Sequence, residues 1–146
     1  MNIDSWLLLI YKVPSEPSAR RVYVWRKLKR LGALLLHDAV WVLPATDRTR
    51  EQLQWLATEI TEMDGEAMLW EARLSFTGKE ENLVQQFTAH VESAYQEILD
   101  KLSRGNADLE ALGRRYQQVR TQDYFQSSLG THTREALIVA RGKSGS

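Results

Sequence analysis

The run WLLLIY from Trp6 to Tyr11 constrains this chain more than any other stretch. Six successive bulky apolar residues are far too few to cross a bilayer, which takes about 20. Pro14 and Pro17 close the run before it reaches helical length, so the segment from Trp6 to Val13 reads as a short buried strand. Because successive side chains of a strand point to opposite faces, this one is apolar on both. A sheet built on it needs cover on each face, and later helices or a second subunit, as in a homodimer, must supply it.

The segments that follow alternate between helical and strand signals. Ser18 is placed to cap a first helix in which Val22, Trp25, Leu28 and Leu31 recur at helical spacing until Gly32 stops it. Two short apolar runs, Leu34 to Leu36 and Val40 to Leu43, flank His37 and Asp38 and predict a tight hairpin ended by Pro44. Thr46 or Asp47 caps a second helix with the stripe Leu53, Leu56, Ala57 and Ile60, and Asp64-Gly65 marks its exit. A last strand runs from about Ala67 to Phe76. This order is α+β, a ferredoxin-like βαββαβ unit with two helices on one face of an antiparallel sheet. All five tryptophans, at 6, 25, 41, 55 and 70, fall in this half, and the simplest expectation is that they pack in its core.

Beyond it, Leu83, Phe87, Val91, Tyr95, Ile98 and Leu102 step by three or four and predict one long amphipathic helix, broken at Gly105-Asn106. Leu109, Leu112, Tyr116 and Val119 predict a shorter helix forming an antiparallel hairpin with it. The segment from Thr133 adds a further helix before a Gly/Ser/Lys end. The expected organisation is a ferredoxin-like unit over 1–77 and a helical extension over 78–146 packed on it, one compact domain overall.

Composition excludes several classes of function. The absence of cysteine removes disulfides, thiol nucleophiles and thiolate metal ligands, and suits a cytoplasmic protein. His37, His90 and His132 lie far apart with no partner at metal-ligand spacing, and there is no phosphate loop, nucleophile elbow or HExxH. The expectation is therefore a binding protein, with no catalytic residues, metal or cofactor and no contact with membrane.

Charge says more by its distribution than by its sum. With 19 basic and 19 acidic residues the chain is neutral, yet the first helix carries Arg20, Arg21, Arg26, Lys27, Lys29 and Arg30 with no acid, six cations on about 20 Å of helix. Arg20, Lys27 and Arg30 are expected on one side, away from Val22, Trp25 and Leu28. Arg20, Arg21, Arg26, Lys27 and Arg30 are candidate DNA-phosphate contacts, since each can displace a condensed counterion. The competing expectation is a solvated face paired with Glu51, Glu59, Glu62 and Asp64. A second set, Arg114, Arg115 and Arg120, lies beside Asp123-Tyr124-Phe125, with Arg134, Arg141 and Lys143 beyond. It suits an oxyanion or a second DNA contact, or else a salt-bridged helix hairpin.

Two patterns carry a family resemblance. The segment WLLLIYKVPSEPSARRVYVWRKLKRLGALLLHDAVWVLPAT, followed by LQWLATEI and GEAMLWEA, resembles the N-terminal domain of the bacterial chromate-resistance regulator family ChrB. LEALGRRYQQVRTQDYF is similar to that family's helical region, where an arginine-rich helix leads to an Asp-aromatic-Phe motif. The resemblance implies a cytoplasmic, chromate-responsive transcriptional regulator that binds promoter DNA of a chromate-efflux operon. The chain is more distantly similar to the ferredoxin-like domain of PaaX-type repressors and to small CRISPR-associated nucleases. Those nucleases place a metal-binding aspartate at the end of the first strand, where this chain has Tyr11 and Lys12, so nuclease activity does not carry over. Regulators of the ChrB family continue into a separate C-terminal domain.

Overall fold

A computed structural model describes residues 5–37, 40–75 and 79–144. The chain divides into two compact units, 2–79 and 80–146. In the first, β1 (Trp6–Lys12), α1 (Ser18–Leu31), β2 (Leu34–Leu36), β3 (Val40–Pro44), α2 (Asp47–Glu62) and β4 (Glu66–Ala72) follow one another in the order strand, helix, strand, strand, helix, strand. The four strands form one antiparallel sheet in the order β2-β3-β1-β4. β1 lies inside it, flanked by β3 and β4, as befits its apolar run. The expected hairpin and final strand are present, with Asp38 and Phe76 outside the described residues, but β4 ends at Ala72, and residues 73–75, expected to continue it, are not strand.

Alternation along β1 sorts its two faces. Leu7 and Leu9 are 2% and 0% exposed, and α2 packs on β1 and β4. Val24, Leu28 and Leu31 of α1 and Leu53, Leu56 and Ile60 of α2 are buried. Leu8 and Ile10 point the other way and pair with Trp70 and Met68, which are 54% and 53% exposed, so part of this face is open.

The tryptophan expectation therefore fails in part: Trp6 and Trp41 are buried, but Trp25, Trp55 and Trp70 are exposed. The phase of α1 also differs from expectation. The buried positions 24, 28 and 31 are spaced by four and three, as helical as 22, 25 and 28, and Val22 to Trp25 offers apolar residues on more than one face. Sequence periodicity alone does not choose between these phases.

Local ends follow local chemistry. Pro17, with no side-chain cap bond, precedes α1, which begins at Ser18 rather than being capped by it, and Gly32 ends the helix at φ 80° as expected. Thr46 is the cap of α2, its hydroxyl accepting from the Thr49 amide at 3.1 Å while Thr49 Oγ1 accepts from the Thr46 amide at 2.9 Å. Arg50 Nε donates to Glu71 at 2.7 Å, tying the first turn of α2 to β4. At the exit of α2, a Cβ on Gly65 would lie 2.6 Å from the carbonyl oxygen of Lys12, so only glycine lets the chain pass so close to β1.

The second unit holds α3 (Lys79–Ser103), α4 (Leu109–Arg120) and α5 (Ser128–Ser144). Val91, Tyr95 and Ile98 of α3, Leu112, Tyr116 and Val119 of α4, and Leu137 of α5 form its core. The predicted stripe is buried from Leu83 through Ile98, with Leu102 half-buried. Gly105 and Asn106, at φ 75° and 55°, break the chain where expected, and Asp108 caps α4. The last helix starts five residues earlier than read. The Ser127 amide donates to Asp123 Oδ1 at 3.0 Å and the Leu129 amide to Ser127 Oγ at 3.2 Å, which satisfies donors at its start.

Candidate functional site

The shifted phase of α1 re-sorts its cations. Arg20 is not part of an outward stripe: its Nη1 donates to the carbonyl of Met63 at 2.8 Å and lies 3.8 Å from Asp64 Oδ2. Lys27 is half-buried on the same flank, its Nζ 5.7 Å from the centre of the Tyr23 ring, and the Tyr23 hydroxyl bonds to Glu59. That bond to a carboxylate raises the Tyr23 pKa. Arg20 thus follows the acid-paired arrangement expected as the alternative to DNA contact, while Lys27 lies against the Tyr23 ring.

Arg21, Arg26 and Arg30 are exposed, and Lys29 joins them, a cation left out of the site set read from sequence. Between them stand Val22 and Trp25, 43% and 51% exposed, with Lys29 Nζ 5.7 Å from the Trp25 ring centre. Lys29 follows Val22 by seven residues and Trp25 by four, so the signal for it was present once the phase was known. Beside this face, Arg21, Val22 and Trp25 line a cavity of about 540 Å³ with Tyr11 and Lys12 from the end of β1. Burial raises the pKa of Tyr11, opposed by a hydrogen bond with Trp41 and by the charge of Arg21.

The arginines of the second unit separate too. Arg114 lines a groove of about 660 Å³ with Arg134 and Arg141 of α5, above a floor that includes Tyr116, Leu137 and Ile138. Arg120 lines a neighbouring cavity of about 460 Å³ with Asp123, and Arg134 reaches both. Arg115 is in neither and bonds to Gln118 within its own helix at 3.0 Å. Three candidate residues read as one cluster thus become one groove member, one cavity member and one outlier.

The Asp-aromatic-Phe motif has a structural task. Asp123 accepts from the Tyr95 hydroxyl at 2.9 Å and from the Ser127 amide, while Tyr124 and Phe125 each place their rings 6.1 Å from that of Phe87. The segment joining α4 to α5 is thereby fastened to α3. Burial first, and the Asp123 carboxylate second, push the Tyr95 pKa well above the ordinary tyrosine value.

A mixed α/β sheet unit with an outward basic helix, followed by a three-helix unit with an arginine groove, is the class of protein these features define. The chain belongs to the family described as Protein ChrB, N-terminal, whose profile matches residues 21–111. It is 31% identical over 105 residues to Protein ChrB of Cupriavidus metallidurans, a match that covers 72% of this chain and 32% of that protein. The chain thus spans about a third of the length of this relative. No solved structure matches it. Among the described residues no helix is long and apolar enough to cross a membrane.

Proposed function

We propose that this chain is the DNA-binding part of a chromate-responsive transcriptional regulator and acts through the exposed face of α1. Its family supports the setting, a chromate-resistance system. The observation that carries the DNA contact is the outward set Arg21, Arg26, Lys29 and Arg30 on a helix without a single acid, in a chain whose net charge is zero. Such a face suits a line of phosphates, each neutralised phosphate releasing a condensed counterion. The order of elements and of strands supports a ferredoxin-like reading of the sheet unit. Promoter DNA as partner, chromate as effector, a cytoplasmic site of action and binding without catalysis complete the proposal.

The test is a titration of labelled promoter-length duplex at two salt concentrations. Affinity should fall steeply with salt. Replacing Arg26, Lys29 and Arg30 together by Ala should weaken binding to all sequences and flatten the log-log salt dependence by about 0.9 for each phosphate no longer neutralised. Arg20→Ala should leave that slope unchanged, because Arg20 is engaged with the end of α2. Absence of binding at low salt, or a triple variant with the parent's slope, would overturn the reading.

A further inference from the structure

We propose that the groove between α4 and α5 is a binding site for a phosphate monoester carrying an apolar body, with Arg114, Arg134 and Arg141 receiving the phosphate. This goes beyond the DNA-binding reading and does not depend on it, since no residue of α1 takes part. The two helices contribute from opposite sides, Arg114 from α4 and Arg134 and Arg141 from α5, so three exposed arginines line one open hollow. Against these three cations the lining holds one carboxylate, Glu110, and the excess of positive charge calls for a polyanionic group.

The rest of the groove says what that group is attached to. At about 660 Å³ the hollow lies within the usual range for small-molecule sites and is much larger than a bare tetrahedral ion needs. Leu137 and Ile138 contribute apolar surface between the arginines, and Ile138 is 54% exposed. A bare inorganic ion would leave that surface in water, whereas an ester with an aromatic or aliphatic body would cover it.

Gly113 supplies a second, independent observation. A glycine inside a helix is unfavourable relative to alanine, so its presence in α4 asks for a reason. A Cβ at this position would lie 2.4 Å from Nη2 of Arg141 and 3.5 Å from the same guanidinium's carbon, the only contacts within 4 Å from outside its own stretch of helix among the described residues. The missing side chain therefore makes room for the Arg141 head against the wall of the groove. Because the obstructing atom is the end of a flexible side chain, Gly113→Ala should fold normally and displace the guanidinium.

The test is thermal unfolding of the whole chain with adenosine 5′-monophosphate, inorganic phosphate or adenosine added in rising concentration. A ligand bound only by the folded state raises the melting temperature by mass action. Adenosine 5′-monophosphate should raise it most, inorganic phosphate less and adenosine least. Arg134→Ala should weaken the response on the order of tenfold, the scale of removing one charge-assisted hydrogen bond. Gly113→Ala should melt no lower than the parent yet respond more weakly, and Arg115→Ala, outside the groove, should respond as the parent does. No response to adenosine 5′-monophosphate, or an undiminished one in Arg134→Ala, overturns the site. An equal response to inorganic phosphate overturns the role of the apolar floor, and an equal response to adenosine overturns that of the arginines. Loss of DNA binding with this response intact would fault only the reading of α1.

Discussion

On α1 the cations spread over a convex helix surface, Arg21, Arg26, Lys29 and Arg30 each facing solvent, whereas the arginines of the second unit come from two helices and line one hollow. A convex row of charges suits an extended polyanion, which brings many phosphates at low cost in geometry. A concave set suits a compact anion, since several guanidinium groups can reach the same oxygens. Arginine predominates in both places. Whether the side chains radiate or converge depends on whether a second element stands opposite.

The comparison is tested hardest by stability, because it rests on which face of each helix is buried. In the sheet unit, Leu28→Ala should cost about 2 to 5 kcal/mol, while Trp25→Ala should cost well under about 1 despite removing a larger side chain. Chemical denaturation of both variants measures this. A reversed order would return Trp25 to the core and put Arg20 and Lys27 back on the outward face.

In the helical unit the next largest effects come from two glycines of opposite sign. Gly130 packs against the ring of Tyr95, where a Cβ would lie 2.9 to 3.0 Å from three ring and hydroxyl atoms, so Gly130→Ala should destabilise by about 1 to 3 kcal/mol. Gly113→Ala meets only the end of Arg141 and should be neutral or stabilising by up to about 1 kcal/mol. Equal losses at both sites would mean that the Arg141 head is as rigidly held as the Tyr95 ring.

Tyr95 also gives a pH signature confined to this unit. Its hydroxyl is pushed above the ordinary value of 10.0, so the folded state keeps the proton better than the unfolded chain. The resulting stability is fully present below about pH 10 and is lost as pH rises toward the folded-state value. Tyr95→Phe should cost about 0.5 to 1.5 kcal/mol near neutrality and show a shallower alkaline loss than the parent. Identical alkaline profiles would place the sensitivity in Tyr11 or Tyr23.

The smallest effect is expected back in the sheet unit. Arg50, with Ser5, holds the Glu71 carboxyl below its ordinary range. Its contribution is present above the unfolded carboxylate pKa and is lost as pH falls through the lower folded-state value. This pair is exposed, so Glu71→Gln should change the acid limb of a melting-temperature profile only slightly. A large change would show that α2 depends on this tie to β4.

Legibility divided along the same line as charge. The stripe from Leu83 to Ile98 was readable because a long helix repeats its pattern over many turns, so one phase fits and the rest fail. The two-faced run of β1, the Gly32 stop, the hairpin and the Gly105-Asn106 break were also legible, since each rests on residues within a few positions of one another. By contrast, α1 has four turns and the contiguous apolar residues Val22, Tyr23, Val24 and Trp25, which two phases satisfy equally. Only the packing of Val24, Leu28 and Leu31 inward settled which cations face water, and with it the removal of Arg20 and Lys27 from the outward set. Likewise, composition gave arginines at 114, 115 and 120, but neighbours on a helix point about 100° apart and cannot share a groove unless another helix meets them. The position of α5 opposite α4 chose Arg114 over Arg115 and brought in Arg134 and Arg141, a long-range pairing with no local signature in the sequence.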